Sequence, residues 1–314
     1  MRELSDRATT LSLAPATTVP IDLVADLLQR AFADDIAPMG PAAFSPVTLQ
    51  SLVARDDVLL DRSYVALRDG APIGVALVAV RPARGGPRTR LAGMGVAPEA
   101  RRLGVGRALL ERVIADARGR GSPAVTLEAF ERNAAAVHLY ESHGFVAARR
   151  LLGFTLSMTE LPRDAAATTL PAITLRATEA PLLLPLITLC ASAEPPEAAP
   201  PWQLEAMSLT RLGPAASIYA FAEGGGLAGL RPDGYVALTG EGPGARLAGL
   251  GVVPAKRRQG LAMAALAALR ATRPGLATLS MPPLAPEKSA LVPFLTTLGA
   301  APANEAQVEM RLSL

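Results

Sequence analysis

The sequence has few cysteine, histidine and aromatic residues, and each scarcity excludes a class of protein. Cys190 is the only cysteine among 314 residues, which excludes an intramolecular disulfide framework and favours a reducing compartment. His138 and His143 are the only histidines, so the ligands of a zinc cluster are missing and we expect no metal. Aromatic residues make up 4% of the chain, too few for stacking single-stranded nucleic acid.

Strong charge asymmetry and long apolar runs are also absent. The 31 basic residues exceed the 28 acidic residues by only three, so we expect no nucleic-acid partner. No charge-free apolar run reaches the roughly 18–20 residues of a membrane span, and we expect no membrane partner. The N-terminal stretch MRELSDRATT lacks the apolar centre of a signal peptide. These features predict a cytoplasmic protein.

What the sequence does contain is an internal repeat. The stretch RLAGMGVAPEARRLGVGRALL at 90–110 matches RLAGLGVVPAKRRQGLAMAAL at 246–266 almost position for position. A repeat of this length indicates a duplicated domain rather than a solenoid unit. A segment rich in threonine, proline and small residues separates the copies, as expected of a linker. We therefore predict a first domain at 1–162, a linker at 163–172 and a second domain at 173–314.

The order of elements in the first copy predicts its fold class. Asp69-Gly70 is a strong hairpin signal between two β-rich runs. Apolar spacing and turn residues give the remaining order: helix 19–34, strands 64–68, 72–80 and 89–96, helix 104–118, strand 123–130, helix 133–142 and strands near 144–161. Antiparallel hairpins followed by β-α-β-α-β predict an α/β fold of the α+β type with a mixed sheet.

The stretch RRLGVGRALL at 101–110 lies where a strand gives way to a helix. Its glycines let a ligand approach the backbone, and free N–H groups at a helix N-terminus favour an anion such as pyrophosphate. A P-loop is excluded because Arg107 and Ala108 follow Gly106, and the dinucleotide fingerprint lacks its third glycine at Leu109. An ordinary glycine-containing helix start with a basic face remains the alternative.

Together with its surroundings, this stretch resembles the GNAT superfamily of acyl-CoA N-acyltransferases. The first family motif corresponds to Val96-Ala97-Pro98 followed by Arg101, Gly104 and Gly106. The second corresponds to NAAAVHLYESHGF at 133–145. The resemblance covers most of residues 1–160, and the first half is similar to N-terminal acetyltransferases of the ribosomal-protein type. It implies two tandem GNAT domains.

The resemblance also implies a site for acetyl-CoA. In the family, one strand pairs with the pantetheine arm and the following turn binds the pyrophosphate. The corresponding cofactor-binding residues here are Met94, Gly95, Val96, Arg101, Arg102, Leu103, Gly104, Val105, Gly106, Arg107, Asn133, Ala136 and Tyr140. Asn133 could equally cap its helix.

Two residues are candidates for the chemistry of acetyl transfer. The resemblance assigns Tyr140 as the acid that protonates the departing thiolate, with a buried core tyrosine as the alternative. Glu128 is the candidate base, because burying a carboxylate in an apolar strand is unfavourable and a functional role would explain it. Glu128 could instead lie on a solvated face or hold the charge of the substrate.

The second copy keeps the first motif and loses most of the second. Arg257, Arg258, Gly260 and Ala262 preserve the turn, whereas Leu295 takes the place of Tyr140. Glu128 is expected to have Ser280 as its counterpart. Because leucine cannot donate a proton, we predict a noncatalytic second domain, and leave open whether it binds CoA.

The resulting prediction is an N-acetyltransferase that moves an acetyl group from acetyl-CoA to a primary amine by direct attack. The acceptor would be a peptide N-terminus or a small amine, and its specificity is expected in the loop at 33–46. A noncatalytic acyl-CoA-binding or regulatory protein is the alternative. The oligomeric state stays open, and a monomer is compatible with the two-domain plan.

Overall fold

The computed structural model describes residues 11–33, 44–161, 170–212, 216–224 and 232–314. The chain divides into two compact units. Unit 1 comprises Met1–Glu128, Ala135–Val146 and Met310–Leu314, and unit 2 comprises Ala129–Ala134 and Ala147–Glu309.

The sheet of unit 1 is built from strands in the order β1-β2-β3-β4-β5. Neighbouring strands are antiparallel except for the parallel pair β4–β5. The elements of the first half are β1 (Leu11–Pro15), α1 (Ile21–Ala31), α2 (Pro46–Asp56), β2 (Tyr64–Arg68), β3 (Ala71–Arg81), β4 (Arg88–Val96), α3 (Val105–Gly119), β5 (Ala124–Phe130) and α4 (Ala134–Glu141). This is the mixed α/β sheet that the sequence predicts.

The sheet of unit 2 has the order β6-β11-β10-β9-β8-β7, with β10–β11 as its parallel pair. The elements of the second half are β6 (Val146–Ser157), β7 (Ile173–Ala177), α5 (Leu184–Ser192), α6 (Ala206–Leu209), β8 (Ala216–Glu223), β9 (Gly234–Thr239), β10 (Gly244–Val252), α7 (Leu261–Thr272), β11 (Thr278–Pro286), α8 (Leu291–Thr297), β12 (Ala301–Pro302) and β13 (Gln307–Ser313).

Helix α3 shows how the apolar pattern produces the packing of unit 1. Its apolar residues recur on one face and are buried at Val105, Leu109 and Val113. Gly74 on β3 faces this helix, and a Cβ at Gly74 would lie 2.7 Å from Cγ1 of Val105. A larger residue would force the helix off the sheet, so Gly74 fixes how closely α3 approaches β3.

The last strand of each half belongs to the unit of the other half. Met310–Leu314 lie in unit 1, where the Leu314 N–H donates to the Pro123 carbonyl at 3.1 Å. Conversely, β6 pairs with β11 in unit 2. The division into 1–162, 163–172 and 173–314 stays a prediction. Strand pairing does not depend on sequence separation, so local patterns carry no information about the partner.

Each sheet contains a bulge next to its parallel pair. The β3–β4 register skips Ala92, and the β9–β10 register skips Ala248. The parallel pairing of β4 with β5 ends at Leu91, and that of β10 with β11 ends at Arg246. A bulge bends its strand, and β4 and β10 leave their parallel partners within one residue of the same point of the repeat.

Within the described part of the chain, no helix combines the length and apolar character needed to cross a membrane.

Candidate active site

The predicted pyrophosphate turn forms between β4 and α3. Arg102 has φ 64° and Gly104 has φ 79°, both in the left-handed region. The first helical bond runs from the Ala108 N–H to the Gly104 carbonyl at 3.0 Å, so the helix does not use the N–H groups of Val105, Gly106 and Arg107. A non-glycine residue at positive φ is strained and often marks a functional backbone. This backbone is suited to an anion.

The side chain of Arg101, a predicted cofactor-binding residue, is hydrogen-bonded within the fold. Its Nη2 donates to the Ala31 carbonyl at 2.8 Å, and its Nε donates to the Val96 carbonyl at 3.4 Å. Carbonyls at a helix C-terminus lack intrahelical partners, and the guanidinium supplies donors for one of them. Arg101 thus connects the end of α1 to the end of β4.

The remaining turn residues present their backbone and side chains to solvent. Arg102, Leu103 and Gly104 are exposed, and Arg107 is exposed with an ion pair to Glu111 at 3.2 Å. Val105 is buried under the turn. The groups available for the predicted phosphate contacts are therefore the backbone N–H groups and the exposed side chains of Arg102 and Arg107.

Strand β4 presents an edge along Gly93–Val96, beyond the end of its pairing with β5. The Cα side of Gly93 is open, with no atom within 4 Å of a Cβ placed there. Gly95 differs, because its Cβ would lie 2.7 Å from the Cβ of Ala31 and 3.1 Å from Phe32. Close packing of α1, rather than a ligand, therefore requires glycine at 95. The backbone of Met94, Gly95 and Val96 still borders the open edge.

Tyr140 lies at the end of α4, and α4 lies against the turn. Cδ2 of Leu139 is 3.4 Å from where a Cβ of Gly106 would be, and Val96 is 3.7 Å from the same point. Tyr140 is 6% exposed, and its ring is 5.8 Å from that of Phe145. Burial raises the pKa of the Tyr140 phenol, so the hydroxyl keeps its proton. The structure thus brings the strand end, the turn and the helix bearing Tyr140 together.

Glu128 is bound to a residue that the sequence interpretation missed. Arg90 donates to Glu128 from Nη2 at 2.6 Å and from Nε at 2.9 Å, and both side chains are 5% exposed. Both carboxylate oxygens accept hydrogen bonds from the guanidinium, which is typical of a bidentate salt bridge that stabilises the fold. In the stretch RTRLAG, nothing local separates the buried Arg90 from the exposed Arg88.

Asn133 and Ala136 lie at the start of α4. The Asn133 N–H donates to the Phe130 carbonyl at 3.0 Å, and Ala136 is half-buried. Asn133 belongs to unit 2 and Ala136 to unit 1. Their contact with a cofactor stays a prediction. The proposed acceptor loop at 33–46 lies largely outside the described residues.

Unit 2 contains a second turn with nearly the same backbone. Arg258 has φ 63° and Gly260 has φ 79°, and the Ala264 N–H donates to the Gly260 carbonyl at 2.9 Å. Arg257 repeats the role of Arg101, because its Nη2 donates to the Cys190 carbonyl at 2.9 Å. The repeat in sequence is thus a repeat in conformation.

Leu295 occupies the position of Tyr140. The Ala300 N–H donates to the Leu295 carbonyl at 3.0 Å, as the Phe145 N–H donates to the Tyr140 carbonyl at 3.1 Å. Leu295 is buried and has no ionisable group.

Ser280, in contrast, is not the counterpart of Glu128. Ser280 pairs with Arg246 as Thr126 pairs with Arg90, so the counterpart of Glu128 two residues later is Pro282. The repeat could not reveal this, because β11 has a register shift near this point.

Comparison with known families supports this geometry. Residues 26–145 match the family model described as the acetyltransferase (GNAT) family. The chain carries a GNAT acetyltransferase domain. The predicted GNAT domain is confirmed over residues 26–145, and this domain supports an acyl-CoA-dependent N-acyltransferase. No curated protein matches the sequence.

Solved structures extend the GNAT fold over both halves. A tandem GNAT protein from the clavulanic acid biosynthesis pathway is 18% identical, with TM-score 0.66 over 97% of this chain and 98% of that chain. A GCN5-related N-acetyltransferase from Sphaerobacter thermophilus is 15% identical, with TM-score 0.63 over 96% and 95%. A glucosamine N-acetyltransferase region of a fungal β-N-acetylglucosaminidase is 12% identical, with TM-score 0.69 over 97% and 38%. At these identities the matches establish the tandem GNAT fold.

Proposed function

We propose that this protein transfers an acetyl group from acetyl-CoA to a primary amine, with the active site in unit 1. The observation that carries the proposal is the position of Tyr140, a buried protonated phenol on a helix that lies against the anion-binding turn. Unit 2 has the turn and has Leu295 instead of the phenol.

Binding in unit 1 would use backbone groups for most contacts. The free N–H groups at the start of α3 and the helix dipole would hold the pyrophosphate of CoA. The open edge of β4 along Met94–Val96 would pair with the amides of the pantetheine arm, as an added strand does. The bulge at Ala92 supports this proposal, since it separates β4 from β5 where the arm would enter.

The reaction would proceed by direct attack of the neutral amine on the thioester carbon. Backbone N–H groups of β4 would stabilise the oxyanion of the tetrahedral intermediate. As the C–S bond breaks and the amide C–N bond is kept, the attacking nitrogen would lose its surplus proton to solvent. The departing thiolate would take the Tyr140 proton, which solvent then replaces. The proton of the ammonium would leave before attack.

Two groups are candidates for accepting the ammonium proton, Glu128 and a water molecule. Glu128 is the predicted base, but both of its oxygens accept hydrogen bonds from Arg90. We therefore favour water as the base and the Arg90–Glu128 pair as the support of the β4–β5 junction. A Glu128→Gln variant separates the two roles. A base would be revealed by a large fall in kcat at unchanged melting temperature, and a structural pair by a lower melting temperature.

An acceptor screen tests the proposal. Full-length protein with acetyl-CoA is offered peptides with free N-termini, polyamines, amino sugars and aminoglycosides, and free thiol is measured. Stimulation by one class of amine supports the proposal and identifies the substrate. Binding of acetyl-CoA without stimulation by any amine would favour the alternative, a noncatalytic acyl-CoA-binding protein.

A further inference from the structure

Three ionisable side chains meet beside the turn of unit 1. Arg107 and Glu111 lie one helical turn apart on α3, and His143 follows the end of α4. Nε of Arg107 is 3.2 Å from Oε1 of Glu111, and Nε2 of His143 is 3.6 Å from the same oxygen. The guanidinium and the imidazole therefore share one carboxylate oxygen.

The contacts of His143 determine which ring nitrogen carries its proton. Nδ1 is 2.7 Å from the Leu139 carbonyl, which can only accept, so Nδ1 carries the hydrogen. The Ser142 hydroxyl, 3.2 Å from Nδ1, donates its own hydrogen to that carbonyl, so its oxygen is also an acceptor toward Nδ1. In the neutral ring, Nε2 is then an acceptor that faces a carboxylate.

Burial makes this position of Nε2 unfavourable in the neutral ring. The His143 side chain is 10% exposed, and Nε2 has no hydrogen-bond partner among the residues that the structure describes. A second proton turns Nε2 into a donor toward Glu111, in a charge-assisted bond. The end of α4 also favours a cation, because its carbonyls carry partial negative charge. The imidazolium therefore satisfies the groups that surround it.

Other charges near His143 come from α4 and β13. Strand β13 lies beside it, since a Cβ at Gly144 would be 3.3 Å from Cδ1 of Leu312. The ionisable side chains of α4 and of the part of β13 in unit 1 are the buried Tyr140 and the exposed His138, Glu141 and Arg311. Glu111, and through it Arg107, is therefore the charge that a proton on His143 affects most.

Unit 2 repeats the turn without this network. The corresponding residues, at the offset of the repeat, are Met263, Ala267 and Leu298. The turn nevertheless has nearly the same φ angles in both units. The network is therefore not needed to build the turn, and its charges concern what the turn of unit 1 binds.

We propose that His143 and Glu111 are positioning residues for Arg107, and that they make binding of the CoA pyrophosphate in unit 1 depend on a proton on His143. This inference rests on the proposed function for the location of the cofactor. With a neutral imidazole, Glu111 holds Arg107 along α3. With an imidazolium, Glu111 is bound by His143, and Arg107, which is 68% exposed in the first turn of α3, becomes available to phosphate. Protonation and phosphate binding then favour each other.

Titration calorimetry from about pH 5.5 to 8, where histidine changes its charge, tests the proposal. The probe is 3′-dephospho-CoA, because the 3′-phosphate of CoA itself titrates in this range. We expect the Kd of wild type to rise about fivefold from about pH 6 to pH 8. Binding should also take up protons, measured near pH 7 in two buffers of different ionisation enthalpy.

Two variants should change the affinity in opposite directions. His143→Asn keeps an amide donor for the Leu139 carbonyl but cannot take up a proton, so binding should stay at the weaker value at every pH. Glu111→Gln, at an exposed side chain, releases Arg107, so binding at high pH should reach the tighter value. A general loss of structure would weaken binding in both variants and could not produce opposite changes.

His138→Asn is the matched control, because His138 is exposed on α4 and is the only other histidine of the chain. It should keep the pH dependence of wild type. A wild-type Kd that does not change with pH, or that changes equally in His143→Asn, would overturn the proposal. Should His143→Asn fail to fold by circular dichroism, Glu111→Gln decides alone, and an unchanged affinity at high pH would overturn the proposal.

Binding and turnover are measured separately, which distinguishes this proposal from the proposed function. Binding with the expected pH dependence, but without acetyl transfer to any amine, would support the network and contradict the enzyme. Acetyl transfer with binding that does not depend on pH would support the enzyme and overturn the network. Absence of binding at every pH would contradict both.

Discussion

The two turns have almost the same backbone and lie in different chemical surroundings. Their left-handed residues agree within one degree, at φ 64° and 63° for Arg102 and Arg258 and at φ 79° for both glycines. The helix near the first turn, Ala134–Glu141, bears Tyr140, and its counterpart in the second half, Leu291–Thr297, bears Leu295. The backbone conformation of the turn therefore does not depend on the phenol, since the second half has leucine in place of tyrosine and keeps the same φ angles.

A second contrast concerns the strand junctions. Arg90 is buried with Glu128, whereas Arg246 at the corresponding place is exposed and faces no glutamate in register, because Pro282 stands there. Unit 1 thus contains a buried charge pair at the point where β4 leaves β5. Unit 2 has the corresponding bulge without this charge pair. The contribution of the pair to stability can therefore be measured by removing it from unit 1.

The largest expected effect is on the stability of unit 1. Arg90→Met removes the guanidinium that binds the buried Glu128 carboxylate. Breaking a buried salt bridge costs about 3–5 kcal/mol. Arg246→Met, at an exposed side chain, should change the free energy of unfolding by less than about 0.5 kcal/mol. Denaturant unfolding of both variants checks the comparison. Equal losses would show that the pair does not support the junction.

The next effect is on catalysis. Tyr140→Phe should lower kcat about 100-fold, or about 2.7 kcal/mol in activation free energy, because the thiolate then leaves unprotonated. Leu295→Met is the matched control in the second half, since it conserves volume in a core position without an ionisable group. Steady-state thiol release measures both. An unchanged kcat in Tyr140→Phe would contradict the assignment of the acid.

The glycines of the turns should give a smaller effect. Alanine is strained at φ 79°, so Gly104→Ala and Gly260→Ala should each lose about 1 kcal/mol of stability. Gly260→Ala should lose more, because its Cβ would lie 3.3 Å from both Leu170 and Pro171, whereas Gly104 faces open space. Melting temperatures rank the two variants. Equal losses would show that strain alone decides the cost, because both glycines have the same φ.

The smallest expected effect is on the alkaline side of the pH profile. An ordinary tyrosine has a pKa of about 10 and would begin to lose its proton near that pH. Burial raises the pKa of Tyr140, and the protonated phenol is the active form, so kcat should not fall up to about pH 10. A decline of kcat with an apparent pKa near 9, present in wild type and absent in Tyr140→Phe, would contradict this environment.

Local signals predicted the parts of the site that depend on neighbouring residues. The turn at Arg102–Gly104 follows from glycine and the end of a strand, and α4 begins at Ala134, close to the predicted 133. Hydrogen bonds within a few residues determine such features, so the sequence carries them directly. Leu295 lies four residues before Gly299, and Tyr140 lies four residues before Gly144. Both glycines have a positive φ, so the two positions correspond.

Other features depend on groups far apart in the chain. Arg101 is 70 positions from its partner Ala31, and Arg90 is 38 positions from Glu128. The sequence pattern identified Arg101 and Glu128 as functional candidates and missed Arg90. Neighbouring residues do not show whether a side chain is held by a group far away in the chain.

The duplication, the GNAT motifs, the two turns and the loss of the phenol in the second copy can be recognised from the sequence, because each depends on residue type and short spacing. The tertiary structure alone decided that β6 joins the unit of the second half and that Met310–Leu314 join the unit of the first. It also decided that Arg101 and Glu128 have partners within the fold. Strand pairing and ion pairing depend on distance in space, and no local pattern encodes that distance.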